Sequence, residues 1–441
     1  MRWPALVLIA VLVGVSLTPA AHSQPAPRRL SFADAATVAL RDNLTLRAAA
    51  FDVAVAEVHL AQAHAARNPQ VALSVSYTRA QQQPGQTLTF PNPFGPTPPT
   101  ITVTLAPPDP NLLVLRLSAH YPLYTGGRLE AQIALAEANL RGARAAFERT
   151  RQQVLFAVQQ AYLQALLAQE SLSAAQQATE QANENLRVAQ ARVRAGVAPP
   201  FDVLQAEVAV ANAQQAVARA DAQVRTARAG LNALIAAPLD TALDLTDSLE
   251  PRPVQGTLPG VIARGLRDRP ELAEVQARMA AARASIELAA SGGRPNVAVS
   301  ANYDVTGAGN LAGLWSVTLA VTLSLHDGGI TRERIREAEL RLQQLKVIEA
   351  QTKQRVELEV RQAWFALEQS AAELAATQRA VDQAREASRI ARVRFDAGVG
   401  ISLELTSAQA AAAQAELALA QARFGQNLAR VQLFLAIGGT L

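Results

Sequence analysis

The chain has no cysteine, two methionines and five histidines among 441 residues, and only 4% of it is aromatic. Without cysteine there can be no disulfide, no thiolate metal site and no lipid-bearing residue at a processed N-terminus. Half of the residues are apolar although aromatics are scarce, so the apolar content is largely alanine. That is the composition of a helix-rich, thinly packed protein. The net charge is +4, and charges of both signs alternate along the chain without a concentrated basic patch. A nucleic-acid partner does not fit that distribution. Beyond residue 23 no apolar run is long enough to span a membrane as a helix. Before it, Met1 to Ser23 has a basic start, an apolar core from Ala5 to Leu17 and a small-residue end. This pattern predicts a secretory signal at 1–23, cleaved after Ala20 or Ser23. An exported chain with no spanning helix can cross a membrane only as strands.

What the sequence does contain is a duplication. LYTGGRLEAQ (123–132) passes from apolar–polar alternation through Gly126 and Gly127 into helix-period sequence with no proline before Pro199. LHDGGITRER (325–334) does the same at Gly328 and Gly329, 202 residues further on. At that offset RVRAGVAPPFDVLQAE (192–207) matches RFDAGVGISLELTSAQ (394–409), and AVQQAYLQAL (157–166) matches EVRQAWFALE (359–368). Upstream, LRDNLTL (40–46) matches LRDRPEL (266–272), and NPQVALSVSY (68–77) matches RPNVAVSANY (294–303), both at offset 226. The difference between the offsets falls on a proline-rich loop at 79–110, whose TLTF and TITVTL segments can extend a hairpin outward.

Each half is predicted to run helix, strand, strand, long helix, turn, helix. The first repeat, 24–236, has these at 31–66, 70–78, 111–124, 128–194 and 201–236; the second, 259–441, at 259–292, 296–305, 314–326, 329–396 and 402–437. A linker at 237–258 joins them, with a short strand at Leu243–Leu245. Ser31 with Asp34 forms a capping-box start, and Thr125 and Asp327 are placed to cap the long helices.

The strands alternate. Val71, Leu73, Val75 and Tyr77 interleave with Ala72, Ser74 and Ser76; Trp315, Val317, Leu319 and Val321 interleave with Ser316, Thr318, Ala320 and Thr322. One face suits lipid and the other suits water, with Arg116, His120, Thr318, Thr322 and His326 assigned to the wet lumen side. Four strands cannot close a barrel, which needs about eight at least. Two chains would give a nearly filled eight-stranded barrel and three a wet twelve-stranded one; the small Ser and Thr side chains favour three. On the helices, Leu129, Ile133, Ala136, Leu140, Ala143 and Phe147 open a 4-3 repeat that continues to Val193 with one 4-4 step at Val154 to Val158. That is a heptad pattern with a stutter, on a helix about 100 Å long. The glycine pairs then mark where a barrel strand becomes a stave of a helical shaft.

The repeat, LSFADAATVALRDN near the start, the turns YTGGR and HDGGI, and the motifs RAGVAPPFDVLQAE and DAGVGISLELTSAQ together resemble the TolC-type outer-membrane efflux channel family over essentially the whole mature chain. The resemblance implies a homotrimer in the outer membrane of a Gram-negative-type cell, with a twelve-stranded barrel, a long periplasmic helical tunnel and an equatorial girdle. It also implies docking to a periplasmic adaptor and an inner-membrane transporter. The family's tip turns fall on Gly196 and Gly398, and its acidic tip positions on Asp202 and Glu404, beside Arg192, Arg194, Arg392 and Arg394 in the same hairpins. A second acidic position is replaced by Ser407, which weakens the expectation of a doubled acidic ring. With the sequence ending at Leu441, the girdle is expected mainly from 237–258.

Catalytic chemistry is not suggested. His59 and His64 lie about 140° apart around a helix and make poor joint metal ligands. The glycine pairs lack a phosphate-loop pattern, and no nucleophile, base and acid come together, so neither a cofactor nor an enzymatic activity is expected. A periplasmic adaptor is the competing reading, although one would carry a single helical hairpin between other small domains. A structural coiled-coil protein of the envelope would lack the strands.

Overall fold

The structure, a computed structural model, describes residues 28–81, 85–95, 97–105, 110–251, 254–307 and 312–439. The expected signal segment lies outside the described residues. In chain order the elements are β1 (Arg28–Leu30), α1 (Phe32–Asp42), α2 (Leu44–Ala65), β2 (Gln70–Arg79), β3 (Gln86–Pro91), β4 (Thr100–Leu105), β5 (Asn111–Tyr124), α3 (Arg128–Arg194) and α4 (Pro200–Leu234). They continue with β6 (Leu243–Leu245), α5 (Leu258–Asp268), α6 (Pro270–Ala290), β7 (Asn296–Gly307), β8 (Ala312–Thr322), α7 (Ile330–Asp396) and α8 (Ser402–Ala436).

The duplication is carried into the backbone residue for residue. Helices α3 and α7 have 67 residues each and α4 and α8 have 35, with every boundary displaced by the same offset of 202 as the sequence. Each long helix starts after two left-handed glycines, Gly126 and Gly127 at φ 62° and 87°, Gly328 and Gly329 at 68° and 89°. Consecutive left-handed residues are costly for any side chain. At Gly126 space forbids one as well, because a Cβ would sit 2.7 Å from the Arg294 Cβ. Thr125 Oγ1 accepts from the Leu129 amide at 3.2 Å, and the Asp327 carboxylate accepts from Gly329 and Thr331 amides at 2.9 and 2.8 Å. Both act as side-chain caps on otherwise unpaired first-turn amides.

Helix α3 packs against α2 and α6 toward the strands and against α4 and α8 toward the turns, so four helical columns stand side by side along its length. The strands form an antiparallel sheet in the order β2-β5-β7-β8, leaving β2 and β8 as open edges. A parallel β1–β6 pair and a β3–β4 hairpin stand apart from it.

Three expectations need correction. The segments 31–66 and 259–292 are each broken once, at Asn43 (φ −60°, ψ 126°) and Arg269 (φ −72°, ψ 124°). Pro270 forces Arg269 out of the helical region, and Asn43 uses its Oδ1 to cap the Leu46 amide at 3.1 Å, ending one helix and starting another. Strand β8 stops at Thr322, not 326. Its partner there is Asn296, and the residue before that is Pro295, which has no amide to extend the ladder. Third, β1 was not expected, and TLTF and TITVTL form their own two-stranded sheet.

The packed centre lies midway along α3 and α7. Leu30, Val158, Tyr162, Leu231, Ile235 and Leu249 form one buried cluster; Val356, Val360, Leu433 and Ile437 form the other. The second set holds the offset equivalents of Val154, Val158, Leu231 and Ile235 in the first.

Candidate functional site

Register decides the two faces of the sheet. Leu73 pairs with Leu117, Leu117 with Tyr303, and Tyr303 with Trp315; one step along, Val71, Ala119, Ala301 and Val317 form the next row. Paired residues share a face, so every apolar position of the alternation lies on one side. Val71, Leu73, Val75, Val317, Leu319 and Val321 are 61–67% exposed there, so none of the described residues covers them. On the opposite side Gln70, His120, Ser300 and Thr318 make one row, and Ser74, Arg116, Asp304 and Leu314 another. Arg116 donates two hydrogen bonds to Asp304, at 2.7 and 3.2 Å, and His120 Nδ1 lies 3.3 Å from Ser300 Oγ. Thr322 closes this face opposite Asn296. His326 does not belong to it, because the strand has already ended. Asp304 had not been singled out; its signal was an acid in a strand at the height of the only arginine of β5.

The far end of the shaft is built from two hairpin turns. Gly196 and Gly398 adopt φ 74° and 75° with open space around an added Cβ, so glycine serves the backbone turn alone. Among the described residues, one of the four arginines there forms an ion pair: Arg394 Nε lies 3.5 Å from Glu404, both about half exposed. The Arg192 guanidinium stacks 4.4 Å above the Phe395 ring, which ties α3 to α7. Arg194 donates to the Gln190 carbonyl of its own helix. Arg392 donates to Gln181 at 2.7 Å, Gln181 to Asn185 at 3.1 Å, and Asn185 to Gln409 at 2.7 Å, a relay crossing from α7 through α3 to α8. Among the described residues Asp202 makes no ion pair. The relay escaped sequence reading because glutamines and asparagines on an alanine-rich helix look like solvated surface. Beside it lies a cavity of about 340 Å³ walled largely by alanines, among them Ala178, Ala182 and Ala410.

At mid-shaft, Tyr162 is 1% exposed. Its hydroxyl lies 2.9 Å from the Leu30 carbonyl and 2.8 Å from the Asp247 carboxylate, which also accepts the Phe32 amide at 2.7 Å. Burial, and then the hydrogen bond to Asp247, push the Tyr162 phenol above its ordinary range. The linker therefore joins the N-terminal strand in closing the equator of the first repeat.

Among curated proteins, the chain is 27% identical over 307 residues to the protein CyaE of Bordetella pertussis, covering 67% of this chain and 64% of that one. It is 26% identical over 205 residues to the outer membrane protein OprJ of Pseudomonas aeruginosa, covering 45% and 43%. The matched part thus spans less than two thirds of either relative. Among solved structures, the open state of the Neisseria gonorrhoeae MtrE outer membrane channel superposes with a TM-score of 0.75 at 21% identity, covering 92% of this chain and 89% of that one. The family model described as outer membrane efflux protein matches residues 36–237 and 261–439, both repeats. A duplicated chain of strand hairpins on long helical shafts, matched over both copies, belongs to the outer membrane efflux protein family.

Proposed function

We propose that three copies of this chain form an exit duct across the outer membrane, a passive conduit that receives cargo at its helical tip from a periplasmic adaptor and an inner-membrane transporter. The observation that carries this reading is the two-faced sheet with two open edges. A bare apolar face about ten residues tall matches the hydrocarbon span of a tilted membrane strand. Open edges in such a setting must be paired, and β8 runs antiparallel to β2, so β8 of one copy can join β2 of the next. Twelve strands from three copies close a barrel wide enough to hold water behind the Arg116, His120, Thr318 and Thr322 face. The helices support the same ring. Helix α2 exposes Phe51, Val55 and Val58 on one flank of the columns, and α7 exposes Ile330, Leu340 and Val347 on the other.

At the tip, the contacts of Arg192 and Arg392 hold the two hairpins together, the Arg394–Glu404 pair braces the second hairpin, and the set acts as a gate, with Gly196 and Gly398 at the docking rim and Asp202 facing the entrance. One exposed ion pair contributes only about 0–1 kcal/mol, so closure depends on its repetition around the ring. The test is reconstitution of the detergent-extracted particle into planar bilayers. A mass of three chains and a steady conductance are expected. Leu319→Arg costs about 2–4 kcal/mol of barrel stability, whereas Thr318→Arg leaves folding intact and lowers conductance. Combined Asp202→Ala and Glu404→Ala raises conductance without loss of the trimer. A particle that needs no detergent and carries no current would reject the duct; equal destabilisation by both arginine variants would reject the assignment of faces.

A further inference from the structure

The β3–β4 hairpin has an apolar face with no partner among the described residues. Leu88 pairs with Val103 and Phe90 with Ile101, with Leu105 beside them; the opposite face is threonine, with Thr89 and Thr102 hydroxyls 3.4 Å apart. Leu88, Phe90, Val103 and Leu105 are 44–51% exposed. A lone two-stranded hairpin is marginally stable in water, so an apolar face of this kind needs a cover.

We propose that the cover is a second copy of this chain, the hairpins of neighbouring protomers packing apolar face against one another above the outer mouth of the duct. This rests on the ringed assembly argued above. Height argues against lipid. Strand β2 has 10 residues, a full membrane span, and at its end Arg79 faces Asn111, so the hairpin begins beyond the hydrocarbon. Charge argues against the anionic headgroup layer, since no charged residue occurs from Ala80 to Pro108. Position argues for the neighbour. The hairpin grows from β2, an open edge strand, and would stand over the seam between copies. On the other side of that seam β8 presents Leu314, 69% exposed on the otherwise polar face, and Leu112 is 43% exposed on the same face of β5. Two apolar side chains thus reach the water-facing wall near that seam, Leu314 in the row of Arg116 and Asp304 and Leu112 opposite Thr78, beneath identical hairpins that converge around one axis.

The absence of cysteine makes the test clean. Val103→Cys and its cross-strand partner Leu88→Cys place a thiol on the apolar face, and Thr102→Cys places one on the threonine face. The full-length trimer is treated with a flexible bis-maleimide, and separately with a charged, membrane-impermeant maleimide. The expected result is covalent dimers and trimers from Val103→Cys and Leu88→Cys, with labelling at least tenfold slower than Thr102→Cys. Equal labelling of both faces with no cross-link would overturn the proposal. Protection of Val103→Cys without any cross-link would also overturn it, pointing to lipid or an external protein as the cover. A particle that is not a trimer would instead refute the assembly itself, an outcome read from its mass before any labelling.

Discussion

Midway along α3, Tyr162 is sealed beneath the N-terminal strand and bonded to Asp247 from the linker; at the equivalent place in α7, Trp364 donates its indole N–H to Glu368 one turn along its own helix. The same contrast recurs around both equators. Asn43 donates to the Leu234 carbonyl at 2.8 Å, while Arg269 donates to Leu435 at 3.0 Å and pairs with Glu359 and Glu271. At the ends of the tip helices the left-handed residue is Ala236 (φ 54°) in the first repeat and Gly438 (φ 71°) in the second. Duplication has therefore preserved backbone geometry to within a few degrees where both copies keep glycine, whereas the side chains have diverged where each copy meets something unduplicated. The first equator is closed by a strand, a linker and a neutral phenol. The second is closed by a buried guanidinium and a tight glycine turn.

The sharpest way to break this comparison is at the helix ends. A Cβ on Gly438 would lie 2.5 Å from the Asp268 carbonyl oxygen, so Gly438→Ala should cost roughly 3 kcal/mol, conformational strain and collision together. Ala236→Gly, at the equivalent turn, should stabilise by about 0.5 kcal/mol by relieving a left-handed alanine. Thermal unfolding of the two variants measures the difference; equal and opposite small shifts would show that Asp268 simply moves aside.

Tyr162→Phe should cost about 1–3 kcal/mol, because the Asp247 carboxylate loses its buried donor, while Trp364→Phe, at an exposed bond, should cost less than about 1 kcal/mol. The phenol titrates higher in the fold than in the unfolded chain. Its contribution is therefore complete below the unfolded value near pH 10 and is lost as pH rises beyond it. Wild type should lose stability above about pH 10 more steeply than Tyr162→Phe. Matching alkaline profiles would remove Tyr162 from the closure of the equator.

The smallest effect is expected at the caps. Hydrogen bonds from Thr331, first its hydroxyl and then its amide, followed by the Gly329 amide, hold the Asp327 carboxyl down at about 2. A depressed carboxyl contributes above its unfolded value and loses that contribution as pH falls toward 2. Acid unfolding between about pH 4 and pH 2 should therefore be shallower in Asp327→Asn than in wild type, and unchanged in Thr125→Val, whose cap carries no proton to gain. Identical acid profiles in all three proteins would leave Asp327 without a role at the junction.

What could be read from the sequence follows from the range of each signal. Helices α3 and α7 were legible nearly to the residue because a heptad pattern along the first, bounded by glycine turns and repeated at a fixed offset in the second, has no competing reading. The sheet's two faces were legible because alternation survives in every strand. The break at Arg269 was written in Pro270 and could have been seen, but that at Asn43 depends on a side chain capping three residues ahead, a pattern equally common on helix surfaces. Strand β1 has three residues and a partner more than two hundred positions away, so it left no local trace. The tip showed its glycines and charges but not their pairing. Arg192 found a ring and Arg392 an amide because inter-helix contacts depend on rotation about axes that periodicity fixes only loosely.

The clasp at the first equator has a consequence for the order in which the chain can fold. The Phe32 amide meets Asp247 across 215 residues of sequence, Asn427 donates to the Leu249 carbonyl across 178, and Val431 packs in the same cluster as Leu30. Contacts of such separation form late, because the loop-closure entropy must be overcome before they can reward it. The leading end of the chain thus has to wait, with its apolar residues uncovered, until the last helix has been delivered. Apolar surface left uncovered in this way marks an aggregation-prone intermediate, so the segment that closes the finished molecule is also the one most exposed while it folds.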